Sequence, residues 1–222
     1  MGSADRIEKW EAIATQVMVD APGAELPAVV LAIQRAARDF YTRSHSWREV
    51  VDPLVTVAGI PDYDVLDVKD VEVIAVRGVS VGRDTFDGNR GNFDRYLTPE
   101  QMQQQHVAYP DRRGPPECAA HIDDRLWFYP TPATSGERIG ATLVLRPTYA
   151  LLGLPRRQFT EHQDAIAVGA LWYLKKSIGK PYSDPAGAGA VETAFIYQAS
   201  HYRNQADTGG AEVPRETTTY FV

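Results

Sequence analysis

Residues 158–202 read QFTEHQDAIAVGALWYLKKSIGKPYSDPAGAGAVETAFIYQASHY. The first part, Gln158 to Lys176, carries His162, Ala165, Ile166, Gly169 and Tyr173 on one helical face. Gly179-Lys180-Pro181 stops that helix. Asp184 then caps a second helix with Pro185 at its first position. Along it Ala188, Val191, Phe195, Ala199 and Tyr202 recur at steps of three or four, until Gly209-Gly210 ends the pattern.

Two stripes of this kind need partners, and the other end of the chain supplies them. Asp5 to Val19 places Ile7, Trp10, Ala14, Val17 and Met18 at helical spacing, and Ala21-Pro22-Gly23-Ala24 breaks it. Pro27 opens a second helix whose stripe is Val29, Val30, Ile33, Ala36, Ala37, Phe40 and Tyr41, ending near Ser44.

Between the helical ends the period changes from near four to two. Val51, Leu54, Val55 and Val57 lead to Gly59, and Pro61-Asp62 marks a turn. Val71 to Val81 reads as two short strands or one bent strand, with Gly78 in between. Gly82 to Asn92 is a loop rich in Gly, Asp and Asn. Thr98-Pro99-Glu100-Gln101 starts a short helix reaching about His106. Ala119–Tyr129 and Ile139–Arg146 read as a β-hairpin joined through Pro130 to Gly136.

The fold class is therefore α+β: terminal helices forming a helical bundle with an inserted antiparallel β-rich module. Residues 1–46 plus 157–208 are the expected bundle and 47–156 the β-rich module, with its helix near 98–106. Residues 209–222 form a polar C-terminal tail.

Composition narrows the function. The chain has 222 residues, 44% of them apolar, which is enough for a buried core. The formal net charge of −6, with no basic run longer than pairs such as Arg112-Arg113, argues against gripping DNA by its phosphates. Cys118 is the single cysteine, so an intramolecular disulfide or a cysteine metal cluster is excluded. No apolar stretch is long enough to cross a bilayer and no signal-like segment opens the chain, so a cytoplasm-like compartment is expected.

Candidate chemistry is sparse. Asp62, Asp64, Asp67 and Asp70 crowd together, but lack the glycine and closing glutamate of a calcium loop; charges on a strand edge also discourage aggregation. His121-Ile122-Asp123-Asp124 lacks further ligands at zinc spacing. His162, on an apolar face with Ile166, reads as a hydrogen-bonded core or interface histidine. Gly187-Ala188-Gly189 lies in a helical pattern with no preceding strand, which fails the context of a nucleotide loop and suits close helix packing. Nucleophile elbows, phosphate loops and dinucleotide fingerprints are absent from the sequence. No catalytic residue, metal ligand or cofactor is assigned. The sharpest interaction feature is Thr217-Thr218-Thr219-Tyr220-Phe221-Val222, a strand-former at the end of a polar linker. It reads either as a strand for another chain's sheet edge or as a frayed terminus.

Three segments, taken in order, resemble the head-to-tail adaptor proteins of tailed bacteriophages, including the tail tubular protein of short-tailed phages. The first is Ala36-Ala37-Arg38-Asp39-Phe40 followed by Trp47-Arg48, a strand and Gly59. The second is Leu126-Trp127-Phe128-Tyr129-Pro130-Thr131-Pro132 with a following strand closing in Arg146-Pro147. The third is Leu154-Pro155, a helix with Gly169-Ala170-Leu171, then Gly179-Lys180-Pro181-Tyr182-Ser183-Asp184-Pro185 and a long last helix. The similarity spans roughly residues 7 to 207.

The resemblance implies a non-enzymatic virion protein. It implies a homo-oligomeric ring, usually a dodecamer, bound beneath the portal protein, with genomic DNA passing through its channel without sequence-specific binding. Tail or nozzle proteins would dock on the ring, assembly would occur in the host cytoplasm, and no membrane would be involved. The family's C-terminal portal-docking extension corresponds in place to residues 209–222, with Thr217, Thr218, Thr219, Tyr220, Phe221 and Val222 at its end. Two other readings stand beside it: another neck or tail-completion protein, and a small-ligand-binding or enzymatic module on the β segment.

Overall fold

The computed structural model describes residues 7–64, 70–82, 97–123 and 125–208. The chain opens with β1 (Ile7–Lys9), α1 (Trp10–Asp20) and α2 (Leu26–Ser44). Next come β2 (Arg48–Val55), β3 (Asp62–Asp64) and β4 (Val71–Gly82), then α3 (Pro99–Ala108). The strands β5 (Arg113–Gly114), β6 (Cys118–Ile122), β7 (Arg125–Tyr129), β8 (Thr131–Pro132) and β9 (Arg138–Pro147) follow. Then come β10 (Gly153–Pro155), α4 (Arg156–Lys175) and α5 (Pro185–Thr208). The class is α+β. The described residues fall into two compact units, one within Met1–Ser46 and Leu152–Val222, the other within Trp47–Leu151.

The helical unit is built around α2 and α4. α2 buries Val29, Ile33, Ala36, Ala37, Phe40 and Tyr41, the stripe its spacing predicts. α4 meets it with Ala165, Ile166, Gly169 and Ala170. α1 and α5 each pack on both of these helices. Close approach is set at Gly169, where a Cβ would lie 2.6 Å from the Phe195 ring and 3.0 Å from the Ala36 Cβ. The sequence placed this role at Gly187 and Gly189 instead. A Cβ on Gly189 meets nothing, while Gly187 sits against the Asp184 carboxylate and donates its backbone N–H to Asp184 Oδ1 at 2.9 Å. The glycine there makes room for the helix cap and not for a neighbouring helix.

The first helix starts later than its periodicity suggests. Ile7–Lys9 is a strand paired antiparallel with Gly153–Pro155. Extended pairing wins because a Cβ at position 153 would overlap the Glu8 carbonyl: only glycine lets the two backbones meet there.

In the second unit, β9 is the centre of an antiparallel sheet ordered β2-β9-β4. Its burial pattern is nearly continuous, so both of its faces are covered. Val71–Gly82 is one strand with register shifts at Val73/Ala75 and Val76/Gly78, so the bent alternative is the one adopted. The expected hairpin between 119–129 and 139–146 is corrected: β6 pairs with β7 in the separate sheet β3-β7-β6, and β9 pairs with β2 and β4. The reversal after Ile122 uses Asp123 at φ 49°, a left-handed conformation that aspartate tolerates and that makes the short connection possible. Thr98 caps α3 in a full capping box with Gln101, as its sequence predicts. Met102 seats that helix on Cys118, Ala120 and Tyr129.

Candidate interaction site

The predicted docking residues Thr217, Thr218, Thr219, Tyr220, Phe221 and Val222, and the whole tail 209–222, lie outside the described residues. The last described point before them is Thr208, at the end of α5. α5, the last described helix, is anchored on α4 and α2.

That anchorage is a buried aromatic cluster. Tyr41 Oη and His162 Nδ1 share a hydrogen bond of 3.2 Å. Phe40 and Tyr202 flank the imidazole with centroids 5.2 and 4.9 Å away. Tyr202 donates its hydroxyl to the Glu161 carbonyl at 2.8 Å, tying α5 to α4. His162 is 3% exposed, and burial pushes its pKa down to about 4, so it is neutral near pH 7. Burial, with Glu161 nearby, pushes the Tyr41 phenol well above its ordinary value. A neutral imidazole locked between rings holds helices together; it has no approach for a substrate. This is the hydrogen-bonded core histidine that the apolar helix face predicts. Tyr41, 121 residues away in sequence, is the partner that spacing could not reveal.

The turn feeding α5 is held by Lys175, whose Nζ lies 3.2 Å from Asp184 Oδ2, and by the Asp184 backbone N–H donating to the Lys175 carbonyl at 2.9 Å. The Gly187 N–H and the Lys175 side chain both lower the Asp184 carboxyl's pKa. Lys176 lies over the rings of Trp172 and Tyr173, 3.9 and 4.1 Å from their centroids. The Gly-Lys-Pro-aromatic-Ser-Asp-Pro stretch is thus a built corner between α4 and α5.

The remaining candidates resolve into structural contacts. Arg125 Nε bridges Asp62 Oδ2 at 2.9 Å and Asp64 Oδ1 at 3.3 Å, across the β3–β7 register. Those two carboxylates already have a cation, which the sequence could not place because Arg125 is distant along the chain. Asp70 adopts φ 63° and accepts from Thr148 through its backbone carbonyl; Asp67 lies outside the described residues. Among the described residues no group of three or more His, Cys, Asp or Glu side chains could hold a metal ion. Cys118 is buried and its Sγ–H donates to the Tyr129 carbonyl at 3.3 Å, the behaviour of a small core residue. Among the large aromatic residues, Trp47, Phe128 and Tyr129 are buried, while Trp127 and Trp172 are half-buried. Among the described residues no helix is long and apolar enough to cross a membrane.

Against known proteins, a family model described as SU10 adaptor protein, a family of phage head-to-tail adaptors, matches residues 8–215. The matched stretch runs from before α1 to beyond α5 and so takes in both units; Thr217 to Val222 lie past its end. No curated protein matches the chain.

Proposed function

Because the chain belongs to the SU10 adaptor protein family, we propose that it is one subunit of a ring, twelve-membered as the resemblance implies, seated beneath the portal of a tailed phage. The ring extends the DNA channel and offers a platform for tail or nozzle proteins in the virion neck. The observation that carries this reading is the family match over residues 8–215, which spans the helical unit and the β unit together.

The physical features agree with such a part. The net charge of −6 suits a wall past which DNA slides, because a basic lining would hold the phosphates. The role needs no catalytic residue and no cofactor. The reading of a small-ligand-binding or enzymatic module on the β segment loses part of its support, since Asp62 and Asp64 are held by Arg125. Residues 1–46 with 157–208 would act as the ring-forming bundle and 47–156 as the platform module. The tail 209–222 would dock on the portal, with Thr217–Val222 adding a strand to a sheet edge there.

Electron microscopy of the protein mixed with the portal protein of the same phage tests this. A ring of extra density on the portal's tail-facing end is expected. Bare portals at saturating concentrations of the protein would overturn the reading.

A further inference from the structure

We infer that the two outer helices of the helical unit, α1 and α5, are the two halves of a head-to-tail contact between neighbouring copies of this chain. The inference rests on the ring reading above and names the surface through which the ring closes.

The argument starts from where the charges lie. In a helical unit alone in water, outer helices carry charged faces and inner helices are apolar. Here α5 is poorer in charge than the central pair over most of its length. The central pair α2 and α4 displays exposed Arg35, Arg43, Arg156, Arg157, Glu161 and Asp164 on its free surface. α5 lies outside that pair, yet from Pro185 to Tyr202 its only charged residue is Glu192, which is half-buried. Its exposed positions include Ala190, Thr193 and Ala194, with Tyr197 at 73% exposure. Only three of its 24 residues, Ala188, Phe195 and Ala199, are buried. On α1 the charges, exposed Glu11 and Asp20, stand only at its two ends, and Val19 is 77% exposed. Met18, which the periodicity assigns to the buried stripe, is 40% exposed. Large apolar side chains left in water on a helix face mark a surface that a partner covers.

The two faces are also placed for one another. α1 and α5 both pack on α2 and α4, and make no comparable contact with each other, so they flank the central pair on opposite sides. A two-fold dimer uses a single face twice. Two different faces on opposite flanks are what a heterologous contact uses, and such contacts make a ring where the rotation between copies closes.

Charge sets the level of the contact. A Cβ on Gly23 would lie 3.2 Å from the Pro181 Cβ, so the α1–α2 and α4–α5 turns share one end of the unit. Exposed Asp20 and exposed Lys180 stand at that end. With a ring axis along the helices, Asp20 of one copy comes level with Lys180 of the next, opposite in sign. Beyond that end α5, about 36 Å long, carries only Glu192 before Arg203 and Asp207, which pair with each other in its last turns.

Cysteine cross-linking of the full chain, assembled on the portal, tests the inference. Cys118 is buried, so the native background serves. Single cysteines are placed at Thr15 and Val19 on α1 and at Ala190, Ala194 and Tyr197 on α5, then combined pairwise across the two helices; thermal melts confirm folding. The expected result is a ladder of covalent multimers from α1/α5 pairs such as Val19→Cys with Tyr197→Cys, and monomers from each single variant. Dimers from Tyr197→Cys alone would show α5 meeting α5 and overturn the inference. Rings that form normally while no pair cross-links would also overturn it, leaving the ring reading intact. Absence of any ring would remove both.

Discussion

His162 is a titratable side chain held in the core, 3% exposed. Its folded pKa of about 4 lies below the ordinary histidine value near 6.5, because burial disfavours the imidazolium. As pH falls, the unfolded chain takes up the proton first. The stabilisation is therefore complete above about pH 6.5 and is lost as pH falls towards 4, by roughly 3 kcal/mol at most. Thermal melts between pH 7.5 and 4.5 should show a steeper acid loss for the native chain than for His162→Gln. Parallel curves would contradict the assignment. At Gly169, alanine would drive a methyl into the Phe195 ring and the Ala36 Cβ. Gly169→Ala should cost about 1–3 kcal/mol in denaturant unfolding, as overpacking does. The sequence made His162 legible as a core residue, since its helix face is apolar. It did not make Gly169 legible as the point of closest approach, because that depends on which helices cross there.

At the scale of elements, signals held within a few residues were readable. Thr98-Pro99-Glu100-Gln101 predicts the start of α3, and the structure supplies both bonds of the box, with Gln101 N–H to Thr98 Oγ1 at 3.3 Å and Thr98 N–H to Gln101 Oε1 at 3.0 Å. Thr98→Ala should cost about 1 kcal/mol by chemical denaturation. Pairings between distant segments were not readable. Ile7 fits the helical period of the residues after it, yet it pairs in a strand with Pro155, far along the chain, where Gly153 lets the two backbones meet. Gly153→Val should separate β1 from β10, seen as faster hydrogen exchange at the paired amides of Ile7–Lys9, with little change in β9. The strand at 139–146 alternates well enough for a hairpin, but it takes β2 and β4 on its two edges, far from it along the chain, in place of 119–129. Period reports burial and not the partner.

For the whole molecule, the order of helices, strands and helices carried the fold class, because four helical stripes and a central period of two leave few ways to cover apolar surface. The role came from the order of several weak motifs, and the family match spans them. Composition could not supply it: an acidic chain with one cysteine fits many proteins. The proposed division of labour makes the tail dispensable for folding and needed for docking. Removing residues 210–222 should leave the melting temperature unchanged within about a degree and abolish portal binding. Loss of soluble protein would place the tail in the core instead.

The central claim is that this chain assembles as a ring on a portal. The most direct measurement is its mass by light scattering, first alone and then mixed with the portal protein of its phage. The account predicts conversion to one large complex of fixed stoichiometry, with a multiple of the 24.6 kDa chain mass added per portal. A monomer or dimer whose mass is indifferent to the portal would contradict it.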